Sequence, residues 1–114
     1  KKVGVLGTRF TMQGTAYPTL FSQAHIEVVA PHPNEQEFIH GIYMNELVKG
    51  ILLPSTKLKL QEIIEAMLLR DNIDGFILAG TELPLILTEP SHEGIPFLDT
   101  TKLHVQRIVE TIIS

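Results

Sequence analysis

Residues Ile77–Leu85 read ILAGTELPL, an apolar run that stops abruptly at a glycine, a hydroxyl and an acid. The unbroken apolar stretch Phe76–Ala79 suits a strand covered on both faces, as the strands of parallel sheets are. Such strands alternate with helices, and ligands collect beyond their carboxyl ends. The rest of the chain repeats this signal. Val3–Gly7 is a second apolar run closed by glycine, and His25–Ala30 (HIEVVA) and Ile95–Leu98 (IPFL) complete four expected strands.

Helical spacing fills the intervals. Tyr17, Leu20, Phe21 and Ala24 fall at i, i+3, i+4 and i+7, with Pro18 tolerable in a first turn. Ile39, Ile42, Tyr43 and Leu47 repeat the pattern up to a stop at Gly50. Leu60, Ile63, Ile64, Met67 and Leu68 form the clearest stripe, with Ser55 or Thr56 as the expected cap. Val105, Ile108, Val109, Ile112 and Ile113 form a terminal helix expected to be capped by Thr100 or Thr101. The alternation predicts an α/β fold: one flavodoxin-like, three-layer domain over residues 1–114, with a four-stranded parallel sheet flanked by helices.

Composition bounds the function. A chain of 114 residues suits one domain, and 44% hydrophobic with 19% charged residues is the balance of a folded globular protein. A net charge of −4 with scattered basic residues leaves no footprint for a nucleic-acid backbone or an anionic membrane. There is no cysteine, which excludes a disulfide framework, a thiolate metal site and a thiol nucleophile within this sequence. The apolar runs are too short for a membrane span or a signal-peptide core, so a cytoplasmic location is expected.

Two loops follow strands and carry hydroxyls: Gly7–Met12 (GTRFTM), with Thr8, Arg9 and Thr11, and Gly80–Leu83 (GTEL), with Thr81 and Glu82. Hydroxyls and free backbone N–H groups at helix starts can hold a carboxylate or phosphate. The plainer reading makes Thr11 and Thr81 helix caps and Glu82 a complement to a helix dipole. No nucleotide motif is present, since GVLGTRF lacks the G-x-G-x-x-G spacing. His25, His32, His40, His92 and His104 share no ligand spacing, so no metal is expected. Ser22, Ser55 and Ser91 lack a nucleophile-elbow setting. Asn34–Glu37 reads as a solvated first helical turn.

VGVLGTRFTM (3–12), IYMNELVKG (42–50), DGFILAGTELPLIL (74–87) and GIPFLDTTKLH (94–104), in that order, resemble the second half of an aspartate/glutamate racemase family protein over nearly the whole chain. The resemblance implies a cofactor-independent isomerase of two similar α/β domains with the site in the cleft between them, each domain supplying a cysteine. Inverting an α-carbon needs a base on one face and an acid on the other, and thiols can serve as both near neutral pH. The family's second cysteine stands in a GCTE-like motif; here Ala79-Gly80-Thr81-Glu82 puts Gly80 at its position.

By the same resemblance, Thr8 and Thr11 match the loop that binds the substrate carboxylate, and Thr81 and Glu82 match site residues. The lysine that some members place at the next helix start has no counterpart among Asn34–Glu37. Asp99, Thr100 and His104 match a DTT..H segment, with Asp99 and Thr100 expected to start the last helix. The resemblance further implies that this half acts beside a first domain or a second chain, with an amino acid or dicarboxylate as ligand. Alone it is expected to be inactive; the alternative is a non-catalytic carboxylate-binding or interaction module. The terminal helix stripe is expected to lie exposed unless it folds onto its own sheet or pairs with a second copy.

Overall fold

The computed structural model describes residues 1–113. The chain runs β1 (Lys2–Leu6), α1 (Arg9–Gln13), α2 (Ala16–Ser22), β2 (Glu27–Val29), α3 (Pro33–Asn45), α4 (Pro54–Arg70), β3 (Gly75–Leu78), α5 (Leu83–Ile86), β4 (Ser91–His92), β5 (Ile95–Asp99) and α6 (Val105–Ile113). A 3-10 turn at Leu47–Lys49 follows α3, and Gly50 closes it at φ +77°. The strands form one sheet in the order β2-β1-β3-β5-β4.

The alternation of side chains along the strands builds two cores. Val3, Val5, Ile77 and Leu98 face one way and pack with Phe21 of α2 and Ile108 and Ile112 of α6. Leu6, Phe76 and Leu78 face the other way and meet α3 and α4 through Ile39, Ile42, Leu60, Ile64 and Met67. Each fully buried large aliphatic or aromatic side chain contributes about 1.5–3 kcal/mol. Gly4 lies in mid-strand because a Cβ there would sit 2.7 Å from the Phe76 ring and 3.2 Å from the Met67 methyl.

The sheet has five strands, not the expected four. Four are parallel, and β4 pairs antiparallel with β5 through Ser91–Pro96 and His92–Ile95. Glu93 and Gly94 turn between them at φ +51° and +82°, the positive-φ pair of a two-residue hairpin. A two-residue strand is too short to register as alternation, and Pro96 has no N–H to extend the ladder.

The expected helix through Tyr17 and Phe21 is α2, and a separate short helix, α1, takes up Arg9–Met12 of the expected Gly7–Met12 loop, with extended backbone at Gly14 between the two. Neither Ser55 nor Thr56 caps α4. Leu53 holds the cap position with Pro54 behind it, and the buried Thr56 hydroxyl donates to Glu46 Oε1 at 2.6 Å. At α6 the expected threonine caps are displaced by His104, whose Nδ1 accepts the Gln106 N–H at 3.2 Å.

The start of α3 is less solvated than its sequence suggests. Gln36 is buried, donating to the Pro31 carbonyl and accepting from the Gln13 amide. Glu35 accepts the His32 N–H at 2.8 Å and holds Arg70 of α4 through two bonds of 2.7 and 3.0 Å. The α6 stripe is not exposed as a whole: Ile108 and Ile112 are buried on the chain's own sheet, while Ile113 stays in solvent.

Candidate functional site

β1 and β3 are parallel neighbours, with Leu6 opposite Leu78, and the Ala79 N–H donates to the Leu6 carbonyl at 2.9 Å. The loops after them therefore leave the sheet side by side. From β1 the chain crosses to β2 on one flank, then returns to place β3 on the other, so the strand order reverses between β1 and β3. Ligands of open parallel sheets sit at this reversal.

On the β1 side, Thr8 precedes α1 and Thr11 lies within it, their hydroxyl oxygens 3.3 Å apart. The Thr8 carbonyl accepts the Met12 N–H, and its hydroxyl caps no backbone donor of α1. Thr11, inside the helix, is not a cap either. Arg9 ties this loop to α3: its backbone N–H donates to His40 Nδ1 at 3.0 Å, and its guanidinium pairs with Glu37 at 2.8 Å.

On the β3 side, Gly80 has φ +102°, backbone that side chains with a Cβ avoid. A Cβ built there would run into the Tyr43 hydroxyl, with Tyr43 Cζ at 3.3 Å and Glu82 Oε1 at 3.8 Å. The Tyr43 hydroxyl in turn donates to Glu82 Oε1 at 2.6 Å. Burial first, and the Glu82 carboxylate second, push the Tyr43 phenol up to about 12. Donation from the Tyr43 hydroxyl, then from Thr81, holds the Glu82 carboxyl below its usual range. At neutral pH the pair is a neutral donor and an anion. Glu82 occupies the cap position of α5 without its side chain bonding the helix, and Thr81 lies one residue earlier, exposed.

The structure thus sets the loop of Thr8 and Thr11 beside the loop of Gly80, Thr81 and Glu82. The DTT..H segment reaches the same face, where Thr100 and His104 line a groove together with Thr11, while its hydrogen bonds are made within the fold. Asp99 accepts the Thr101 N–H and hydroxyl in its own turn, Thr100 donates to the Leu78 carbonyl at 3.3 Å, and His104 starts α6. Asp99 and Thr100 precede that helix by a turn rather than opening it.

Tyr43 and His40 are the neighbours that sequence reading passes over. Tyr43 fits the apolar stripe of α3, and the one signal against a purely packing role is its hydroxyl, which a buried tyrosine must bond. Beyond Thr11, an apolar groove of about 690 Å³ opens between α1, α2 and the loop into α6, lined by Phe10, Tyr17, Leu20, Leu103 and Val105. Phe10 is 87% exposed.

Elsewhere, Glu65, His92 and Glu93 bring three potential ligand atoms within 4.8 Å at the surface, a grouping made by the hairpin and invisible in sequence spacing. Among the described residues no helix is long and apolar enough to cross a membrane.

A family model for Asp/Glu/hydantoin racemases matches residues 1–108. Among solved structures, a Yersinia pestis protein assigned to the Asp/Glu racemases aligns with a TM-score of 0.78 at 26% identity, over 99% of this chain and 49% of that one. An aspartate racemase homologue from Pyrococcus horikoshii OT3 aligns with a TM-score of 0.77 at 30% identity, again over 99% of this chain and 49% of that one. The chain therefore spans about half the length of either. No curated protein matches it significantly. The match over residues 1–108 and the shared fold place the chain in the Asp/Glu/hydantoin racemase family.

Proposed function

We propose that this chain forms the carboxylate-binding half of an amino-acid racemase-type site, cofactor-independent in its chemistry and unable to racemise by itself. The observation that carries this reading is the pairing of the Thr8–Thr11 loop with Gly80–Glu82 at the strand-order reversal, with glycine where the proton-transfer side chain would stand. Thr8, Thr11 and Thr81 offer hydroxyls to a ligand carboxylate. Glu82, held as an anion, disfavours a ligand that is only anionic and favours one that also carries an ammonium group. An amino acid such as aspartate or glutamate meets both conditions; a plain dicarboxylate meets one.

Racemisation needs a base and an acid on opposite faces of the α-carbon. Glycine carries no proton, the sequence holds no thiol, and a phenol raised to about 12 is a poor base at neutral pH. A second domain of similar fold, or a second chain, would supply the opposite face, and the apolar groove with exposed Phe10 beside Thr11 is where we place it. Proton NMR of L-aspartate and L-glutamate in heavy water tests the reading. The expected result is no exchange of the α-proton above background with this chain alone. Rapid exchange with formation of the D enantiomer would overturn it.

A non-catalytic carboxylate-binding module is the second reading. It is favoured by the space over Gly80 being filled by the Tyr43 hydroxyl rather than left open. It differs in one outcome: no added partner would restore α-proton exchange.

A further inference from the structure

We infer that Tyr43 is the positioning residue of this site: its hydroxyl fills the space that a side chain at position 80 would take, and holds the Glu82 carboxylate across the end of β3. This rests on the assignment of the two loops as the ligand site, but it concerns the site's own geometry and is testable without ligand.

Three observations converge on it. The first is steric. Position 80 combines φ +102° with a Cβ direction blocked by the Tyr43 hydroxyl, so glycine there and tyrosine on α3 fit as a pair. The second is the partner of the hydroxyl. Packing in the α3 stripe needs only an apolar side chain, as Ile39 and Ile42 show, and a buried hydroxyl must be bonded or it destabilises the fold. The bond goes not to the helix but to Glu82, 39 residues away on the loop after β3.

The third is the freedom of Glu82. Its side chain makes no capping bond to α5, and without Tyr43 a partly exposed glutamate would sample several rotamers. With one oxygen engaged at 2.6 Å, the carboxylate has a fixed place next to Gly80 at the end of β3. One consequence concerns chemistry: a thiol returned to position 80 would compete with the Tyr43 hydroxyl for the same space, so cysteine there needs a change at Tyr43 as well.

The test follows the Glu82 side-chain carboxyl by carbon-13 NMR across an acid titration, in the wild type, Tyr43→Phe, Gly80→Ala and the double variant. Tyr43 from α3 and the neighbouring Thr81 hydroxyl are the groups set against this carboxyl, so loss of the Tyr43 bond must register. Tyr43→Phe is expected to move the Glu82 midpoint upward. Gly80→Ala is expected to move it upward too, by displacing the hydroxyl, and the double variant is expected to add nothing to Tyr43→Phe. Phenylalanine keeps the ring, with Cζ at 3.3 Å from a Cβ at position 80, so alanine should fit better in that background and lower the melting temperature less.

An unchanged Glu82 midpoint in Tyr43→Phe would overturn the proposal, as would additive effects of the two substitutions. If Gly80→Ala alone does not fold, Tyr43→Phe, which removes one oxygen, decides the matter. The ligand-site reading fails separately, through absence of ligand binding by the wild-type chain.

Discussion

Gly80 and Glu35 show how differently single residues declare themselves in a sequence. Gly80 stands out at once, as a glycine between a buried strand and a Thr-Glu pair, yet its reason lies 37 positions earlier in the Tyr43 hydroxyl. No local pattern connects the two, because Tyr43 satisfies the helical stripe as well as any aromatic would. The position of Thr8, Thr11, Thr81 and Glu82 just past strand ends was legible from the apolar runs before them; that none of them caps a helix through its side chain was not. Glu35 looked like a solvated charge and is instead held by Arg70 and the His32 N–H.

Burial alone would raise the Glu35 carboxyl, but Arg70 and the His32 N–H together keep it below the usual range. A lowered carboxyl contributes stability above its unfolded pKa and loses it as pH falls through the folded one. Glu35→Gln should therefore cost about 1 kcal/mol at pH 7, from the two-bond ion pair with Arg70, since glutamine can still accept the His32 N–H. In urea melts the gap from wild type should shrink on acidification below the carboxylate range; a gap independent of pH would contradict the assignment.

Among the elements, β4 differs most from expectation, while α6 takes one of the two covered placements expected of it. The α6 stripe reads as a face in need of cover, and the cover is the chain's own sheet: Ile108 and Ile112 join Val3, Val5, Ile77 and Leu98 in one core. Ile108→Ala should cost about 2–4 kcal/mol by leaving a cavity under the helix, read as a lower urea midpoint with an unchanged slope. A cost below about 0.5 kcal/mol, typical of surface sites, would mean α6 is not docked as described. The helices were legible through their 3.6-residue stripes and the parallel strands through short apolar runs. The hairpin that adds β4 was not, since its two residues and its Glu93–Gly94 turn lie below the length at which alternation can be seen.

At the scale of the whole molecule, the reversal of strand order places the two hydroxyl-bearing loops together, while the apolar groove past Thr11 marks a face with room for a further surface. The four parallel strands and the two-sided helical cover could be read from alternation alone. The closeness of α3 to the site could not, because nothing local says which helix packs over the ends of β1 and β3.

The proposed function stands or falls on whether these loops bind an amino acid. The most direct measurement is a two-dimensional amide NMR titration of the wild-type chain with L- and D-aspartate and L- and D-glutamate, with succinate as the dicarboxylate lacking an amine. Saturable shifts concentrated at Thr8–Thr11 and Gly80–Glu82 are expected, with weaker binding of succinate. No shifts at millimolar ligand, or shifts confined to other residues, would contradict the proposed function.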